Sequence, residues 1–341
     1  MTTPDTTARL PAAIEPPTAV ACAHTGWAVL QVSGADAVTF LHGQLSSDVN
    51  SLRLGEGQYW SYNSPHGRML ANGALWRSAA GESEPVIVML LAADLAETIR
   101  RRLSMFVLRA KVTIDDITGS HALIGLAGNG NADAARDAFG VVPTPFSAVA
   151  FDEGATAFML PDRRIVIVAP NASAPILEAA LARHASSVEA DVWRWFGVSA
   201  GVPWISAATS DRFVPQTANW DLLGGVNFQK GCYTGQEIVA RMQYLGRLKE
   251  RLFAFHTNAL GAVPAMRLYS ATFGPDQACG TVVNDAPDPA GGIALLAVAQ
   301  IAAVDAGDLT LGGSGGPRLA RRALPYDVPA AAPRASRPAI G

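Results

Sequence analysis

The pattern of apolar residues along the chain changes near residue 246. Before that point, short apolar runs that suit strands alternate with amphipathic segments that suit helices. After it, short apolar runs follow one another and are separated by Gly, Pro and Asp, which is typical of a small all-β module. The sequence therefore predicts an α+β body followed by a β-barrel.

The composition suits a folded protein with more than one domain. The chain has 341 residues, of which 49% are hydrophobic and 16% are charged, so it can bury a substantial core. Both ends are rich in Ala and Pro. We predict disordered tails at residues 1–18 and 327–341, a body at residues 19–246 and the barrel at residues 247–326.

Charge and cysteine content argue against several classes of protein. The net charge of −3 disfavours a protein that coats nucleic acid, so direct nucleic-acid contact is not expected. The cysteines, Cys22, Cys232 and Cys279, are odd in number and far apart, which suggests no disulfide framework and fits a reducing compartment. No apolar run approaches the roughly 20 residues of a membrane helix, and the first residues lack a secretory signal. We expect a cytoplasmic protein that does not contact membranes.

Two local patterns make specific structural predictions. Residues 107–117 alternate as a strand, which would place Arg109 and Lys111 on the same side. Trp193 and Trp195 fall in a short segment of helical pattern and are predicted to lie in the core.

The most informative segment for function is residues 228–241, FQKGCYTGQEIVAR. Gly231 and Gly235 bracket Cys232, so the backbone can take conformations closed to other residues. A thiol at the start of the following helix would feel the positive end of the helix dipole, and Lys230 is two residues away. Both effects favour the thiolate, although a lone cysteine is more often a small buried hydrophobe.

The same segment contains the pattern of a helix start. Thr234 and Glu237 have the spacing of a capping box, and apolar residues follow at helical spacing up to Gly246. Taken alone, Glu237 is better explained as a helix cap than as a catalytic acid, and Tyr233 as a side chain that packs in the core.

Residues 230–237, KGCYTGQE, resemble the signature of the YgfZ-type folate-binding proteins. These proteins are relatives of the glycine-cleavage T-protein and include a mitochondrial iron–sulfur assembly factor. The resemblance extends over most of residues 25–255. Its flanking blocks are residues 34–37, 40–41, 64–68, 108–112, 200–203, 213–216, 219, 223–226, 240–241 and 245–246.

The resemblance implies both a fold and a function. The fold would be two intertwined ferredoxin-like modules and a C-terminal β-barrel around a central channel. The function would be that of a folate-binding accessory factor that supports assembly or repair of iron–sulfur clusters in client enzymes. Its partners would be tetrahydrofolate or a folate polyglutamate, and iron–sulfur client enzymes or assembly proteins. Cys232 would be the reactive thiol. Residues implied at the folate site are Lys230, Gly231, Tyr233, Gly235, Gln236, Glu237, Arg241 and Asn72.

The chain also departs from the wider family. T-proteins carry an acidic residue shortly after the turn that corresponds to Gly67, whereas this chain offers Asn72, which cannot accept a proton as a base. Gly197 and Ser199 stand at positions where the resemblance implies Arg and Glu in relatives. In T-protein, that Glu contacts the pterin ring. We therefore expect this chain to bind folate weakly. Aminomethyl transfer is not expected. Two alternatives stay open, a tetrahydrofolate-dependent one-carbon transferase or demethylase and a tRNA-modification factor.

Metal ligands are scattered along the sequence. The six histidines and three cysteines show no spacing typical of a zinc or cluster site, so no stably bound metal is expected. A run of basic residues at Arg241, Arg247, Lys249 and Arg251 is usually a solvated face, but it would also suit a polyglutamate tail.

Overall fold

The computed structural model describes residues 19–78, 84–152, 154–245, 248–259 and 261–329. Its strands in chain order are β1 (Val20–Cys22), β2 (Trp27–Ser33), β3 (Gly57–Asn63), β4 (Met69–Ser78), β5 (Val86–Ala92), β6 (Thr113–Asp116), β7 (His121–Ala127), β8 (Ala148–Phe151) and β9 (Ala155–Met159). They continue with β10 (Ile165–Pro170), β11 (Ser186–Ser187), β12 (Glu250–Thr257), β13 (Arg267–Ser270), β14 (Ala278–Pro287), β15 (Ile293–Gln300), β16 (Leu309–Leu311) and β17 (Ala320–Arg322).

The helices are short and lie between these strands. They are α1 (Ala37–Gln44), α2 (Ala96–Ser104), α3 (Asn131–Phe139), α4 (Ala174–Leu181), α5 (Ala190–Ser199), α6 (Gln236–Leu245) and α7 (Ile301–Ala306). Single 3₁₀ turns lie at Val49–Ser51, Ala93–Leu95 and Ala271–Phe273.

The strands of the described residues form three sheets. The first has the order β3-β4-β5-β2-β6, the second has the order β11-β1-β7-β10-β9-β8, and the third has the order β16-β13-β14-β15-β12-β17. The first two sheets intertwine, because β1 pairs with β7 and β11 whereas β2, directly after it, pairs with β5 and β6. The described part of the chain thus starts in the second sheet, forms the first, and returns to the second.

The third sheet packs on the body through one of its faces. In β12, Leu252 and Ala254 belong to the large core that also contains the first sheet, whereas Phe253 and Phe255 belong to a separate core on the opposite face. This alternation is what a strand with both faces covered requires. Helix α5 contacts β14 and β15, so it connects the body to the third sheet. Its Trp193 and Trp195 are both buried, as the sequence predicted.

The prediction of a strand over residues 107–117 is wrong for its first half. The chain forms a turn at residues 105–109, and only Thr113–Asp116 is a strand. Leu108 has φ 44°, which is left-handed and incompatible with an extended strand. The predicted tail at residues 1–18 lies outside the described residues, as do residues 330–341 of the second tail.

Candidate functional site

The KGCYTGQE segment forms an exposed loop that leads into α6. Gly231 and Cys232 are exposed, whereas Cys22 and Cys279 are buried. The helix begins at Gln236, after Gly235 at φ +79°. The helix start is therefore later than a cap at Thr234 would give, and Cys232 lies four residues before the helix. The helix dipole acts mainly within the first turn, so its influence at this distance is weaker than the sequence suggested.

Lys230 anchors this loop to the end of α1. Its side chain is buried and its Nζ donates hydrogen bonds to the backbone oxygens of His42 and Leu45. These oxygens belong to the last turn of α1 and the residue that follows it, where carbonyl groups lack helical partners and a cation is favourable. Nζ also lies 4.9 Å from the centre of the Tyr233 ring.

Three titratable groups surround the buried side chain of Lys230: His42 and Asp48 are half-buried, and Cys232 is exposed. Burial lowers the pKa of Lys230 to about 8, while the Asp48 carboxylate and the Cys232 thiol act in the opposite direction. His42 Nδ1 lies 3.0 Å from Asp48 Oδ1. Burial, helped by the charge of Lys230, lowers the pKa of His42, and Asp48 opposes this change. The ammonium group of Lys230 is thus used mainly to hold the loop in place.

Gly235 fixes the other end of the loop against the first sheet. A Cβ atom at this position would lie 2.3 Å from the backbone oxygen of Ser64 and 2.9 Å from Cα of Gly67. In the same contact, a Cβ at Gly67 would meet Ile238 of α6 at 2.8 Å. The turn at residues 64–67 and the KGCYTGQE loop therefore approach each other at backbone distance, which only glycine permits at these positions.

A small polar cavity lies directly beside the loop. It has a volume of about 310 Å³ and its walls include Ser47, Asp48, Gln58 and Gln229. Ser47 Oγ and Gln58 Nε2 are buried and have no hydrogen-bond partner among the described residues. The cavity is lined by residues that precede the KGCYTGQE motif and not by the motif itself.

A larger cavity lies where the two body sheets, α5 and the C-terminal segment meet. It has a volume of about 520 Å³, and its walls include Tyr59 of β3, Arg164, Trp195 of α5 and Tyr326. The hydroxyl of Tyr59 and Nε1 of Trp195 are buried without a hydrogen-bond partner among the described residues. Polar atoms left in this way are rare in proteins and mark a place for water or a ligand.

Arg164 brings a guanidinium group to this cavity. Its Nε lies 2.9 Å from Asp162 Oδ2, and both side chains of this pair are nearly inaccessible to solvent. The guanidinium stacks over the ring of Trp193 at 4.7 Å. It also occupies the space beside Gly197, because a Cβ there would lie 3.0 Å from Arg164 Nη1. The missing side chain at residue 197 thus makes room for a cation from the β9–β10 turn.

The C-terminal segment closes one wall of the large cavity. Tyr326 donates a hydrogen bond from its hydroxyl to the backbone oxygen of Gly201 at 2.7 Å. A Cβ at Gly201 would lie 2.7 Å from Leu324 and 2.8 Å from the Tyr326 ring, so the glycine permits this contact. Burial raises the pKa of Tyr326 to about 12, which keeps the hydroxyl protonated as a donor.

The structure separates the candidate residues into three groups. Asn72 is fully buried, and its amide bonds the backbone of Pro203 at 2.8 Å and of Ile205 at 2.7 Å. Lys230 and Tyr233 are buried beneath the loop. The remaining candidates lie on or near the surface: Gly231, Cys232, Gly235, Gln236, Glu237 and Arg241. None of these groups lines the large cavity in the described part of the chain.

The basic run after α6 is not a continuous rim. Arg251 is buried, and its Nη1 bonds Asp221 Oδ1 and the backbone oxygen of Gln216, each at 2.7 Å. It is therefore not free to bind a ligand, whereas Arg241 and Lys249 are exposed. Arg247 lies outside the described residues.

Sequence comparison finds curated relatives over about two thirds of the chain. The tRNA-modifying protein YgfZ of Enterobacter sp. (strain 638) is 35% identical over 240 residues, covering 68% of this chain and 70% of that protein. The chain belongs to the YgfZ family. The YgfZ proteins of Shigella sonnei (strain Ss046) and Yersinia pestis (strain Pestoides F) are 33% and 32% identical, each over at least 67% of both chains. No protein-family model matches the chain.

Structural comparison confirms the expected fold. The glycine cleavage system aminomethyltransferase T from Bartonella henselae matches with a TM-score of 0.72 and 17% identity, covering 90% of this chain and 86% of that one. This YgfZ-family chain thus has the T-protein fold. In the described residues, no helix is long and apolar enough to span a membrane, and no group of three or more His, Cys, Asp or Glu side chains could hold a metal.

Sequence reasoning named Trp195 as a core residue and Ser199 at the expected pterin contact, and both line the large cavity. It did not single out Tyr59, Arg164 or Tyr326. Tyr59, Arg164 and Tyr326 come from three distant segments, and none belongs to a recognisable motif. One indirect signal was available, since the resemblance had marked Gly197 and Ser199 as departures from the family at the expected pterin site, and Ser199 lines this cavity.

Proposed function

We propose that this chain is a folate-binding accessory factor that supports iron–sulfur enzymes, including enzymes that modify tRNA. The observation that carries the ligand part is the large cavity with its unpartnered Tyr59 hydroxyl and Trp195 Nε1. Family membership supports the rest, because the curated relatives are named tRNA-modifying proteins. Tetrahydrofolate is the ligand we assign to the cavity.

The dimensions and chemistry of the cavity fit a folate. About 520 Å³ lies within the range of roughly 300–1,000 Å³ for small-molecule sites. Aromatic walls from Tyr59, Trp195 and Tyr326 suit a flat ring, and the buried Arg164–Asp162 pair makes one part of the wall polar. The residues present would therefore hold and orient the ligand.

We assign to Cys232 the contact with client proteins at the surface of this chain. Its exposure makes it the cysteine that a client protein can reach, and the anchors at Lys230 and Gly235 hold its loop in one position. The cavity and the thiol are separate features, so ligand binding and client contact can be tested independently.

The one-carbon transferase alternative needs a base beside the ligand. Asn72 has no basic group, and its amide is already bonded to the backbone of Pro203 and Ile205. The only described carboxylate of the large cavity belongs to Asp162, which is held by Arg164. These contacts favour a binding role over transfer chemistry.

Tyr59→Phe tests the ligand site with little disturbance. The change removes a hydroxyl that has no partner among the described residues, so stability should be unchanged or slightly higher. Tetrahydrofolate affinity measured by calorimetry should fall about two- to tenfold, as for one lost hydrogen bond. Tyr269→Phe, in the third sheet, is the matched control. Unchanged affinity in Tyr59→Phe would place the ligand elsewhere.

Complementation tests the cellular role. A strain that lacks its own family member should regain iron–sulfur enzyme activity and tRNA modification with the wild-type chain, but not with Cys232→Ser. Full rescue by Cys232→Ser would contradict the role of the thiol. Failure of the wild-type chain to restore either readout would contradict the proposed function as a whole.

A further inference from the structure

The turn at residues 105–111, which follows α2, exposes an unusual group of apolar side chains. Leu108 is 88% exposed, Met105 is 65% exposed and Phe106 is 48% exposed. Single exposed apolar residues are common on protein surfaces and need no explanation. Three large ones within four positions are a different case, because clustered apolar surface marks interaction sites.

The turn is held in shape by its own backbone. Phe106 donates an N–H bond to the oxygen of Leu103 at 3.0 Å, and Ala110 donates to the oxygen of Val107 at 2.7 Å. Leu108 has φ 44°, a conformation that costs a non-glycine residue about 1–2 kcal/mol. Its exposed side chain gains little packing in return, and strained residues of this kind cluster at functional sites.

The turn is also locally positive. Arg109 and Lys111 are exposed and have no ion-pair partner among the described residues. By contrast, Arg100 and Arg101 of the preceding helix pair with Glu97. The turn itself thus presents two positive side chains and no acidic one. It would complement an acidic surface.

Helix α1 connects this turn to the loop of Cys232. The N–H of Lys111 bonds Asp36 Oδ2 at 2.8 Å, directly before the start of α1. At the other end of α1, Lys230 bonds the backbone oxygens of His42 and Leu45. Eight helical residues span about 12 Å, so the turn and the Cys232 loop are attached to the two ends of a short rigid spacer.

We propose that the 105–111 turn is a preformed docking site for a protein partner that presents an apolar pocket with an acidic rim. Docking there would bring part of the partner to Cys232 at the far end of α1. A protein fits better than RNA, because three apolar side chains offer nothing to phosphates. The inference deepens the proposed function by naming where a client binds, and in that respect rests on it.

Paired variants test the docking site in cells and in vitro. Leu108→Asp and Arg109→Glu should lower iron–sulfur enzyme activity in the complemented strain about tenfold, as for a central interface residue. Melting temperature and tetrahydrofolate affinity should stay at wild-type values, because neither side chain is buried. Val263→Asp and Arg318→Glu are matched controls, with exposed apolar and basic side chains in the C-terminal region. Equal activity in all four variants would overturn the proposal.

Crosslinking then identifies the occupant. A photoreactive phenylalanine at position 108 should crosslink a protein, and the purified partner should bind Arg109→Glu more weakly than wild type. Reversing one acidic residue of the partner should restore binding to Arg109→Glu. Crosslinks to tRNA or to a second copy of this chain would overturn the proposal.

The two proposals fail in different ways. If the wild-type chain restores neither cellular readout while Leu108→Asp weakens binding of the crosslinked partner, the proposed function fails and the docking site stands. If Cys232→Ser is inactive while Leu108→Asp binds that partner normally, only the docking site fails.

Discussion

The Nζ atom of Lys230 lies 2.7 Å from the backbone oxygen of Leu45 and so joins the KGCYTGQE loop to the end of α1. A second bond from the same atom reaches the backbone oxygen of His42. A lysine in a cysteine-containing motif invites an electrostatic role toward the thiol, but this one uses its ammonium group to satisfy helix-end carbonyls. The position of Cys232 therefore depends on a buried cation.

Replacing Lys230 should loosen the loop. Lys230→Met keeps the length of the side chain but removes its hydrogen bonds, and each charged bond contributes about 1.5–3 kcal/mol. Because removing the buried cation recovers part of the loss of two bonds, we expect the free energy of unfolding to fall by about 1.5–3 kcal/mol, and limited proteolysis to cut within residues 228–235 faster than in wild type. Urea unfolding and timed proteolysis measure both effects. Lys249→Met, at an exposed site, is the control and should change neither.

Lys230 should also give the protein a characteristic pH dependence. Its pKa is lowered from 10.5 to about 8 in the fold, chiefly by burial. Between these values the unfolded chain binds a proton at this site that the folded chain has lost, so the stability contributed by this residue rises with pH. The free energy of unfolding of wild type relative to Lys230→Met should increase from pH 8 to about 10.5 and be constant below pH 8. A difference that is flat over this range would contradict the lowered pKa.

Two glycines with the same backbone angle should respond differently to alanine. Gly235 and Gly224 both have φ +79°, but only Gly235 has neighbours within reach of a Cβ. Gly224→Ala should cost about 1–2 kcal/mol from backbone strain alone. Gly235→Ala should cost clearly more, because the new methyl group would collide with the backbone oxygen of Ser64. Equal losses in denaturant unfolding would mean that the contact with residues 64–67 relaxes easily.

The three cysteines should be alkylated at different rates. Burial raises the pKa of the Cys22 and Cys279 thiols, whereas Cys232 is exposed. At neutral pH, iodoacetamide should label Cys232 first, as followed by peptide mass spectrometry. Cys232→Ser should change the free energy of unfolding by no more than about 0.5 kcal/mol, as expected for a surface site. Slow labelling together with a large stability loss would indicate a buried structural thiol.

The sequence predicted the fold best where the signal is local. From Glu250 onward the described chain consists mainly of strands, as the apolar runs separated by Gly, Pro and Asp indicated, although the short helix α7 lies between β15 and β16. The wrong strand prediction at residues 107–117 also came from a local pattern. Alternating apolar and basic residues suit a strand, but here they serve an exposed turn in which Leu108 is left-handed. The spacing of apolar residues along the sequence cannot by itself tell a buried apolar side chain from an exposed one.

The site was less accessible to sequence reasoning than the fold. The motif located Cys232, but its spacing could not reveal that Lys230 reaches the carbonyls at the end of α1, far away in the chain. Asn72 was judged by its position after the turn at Gly67, but its buried amide is bonded to the backbone of Pro203 and Ile205. Contacts of this kind depend on how the sheets intertwine.

That intertwining bears on how the protein is made. Val20 in β1 pairs with Ala127 of β7 and with Ser186 of β11. On the ribosome, the first strand must therefore remain without its final neighbours until Ser186 has been synthesised. At roughly 5–20 residues per second, this wait is on the order of ten seconds or more, with an unpaired strand edge open to other chains.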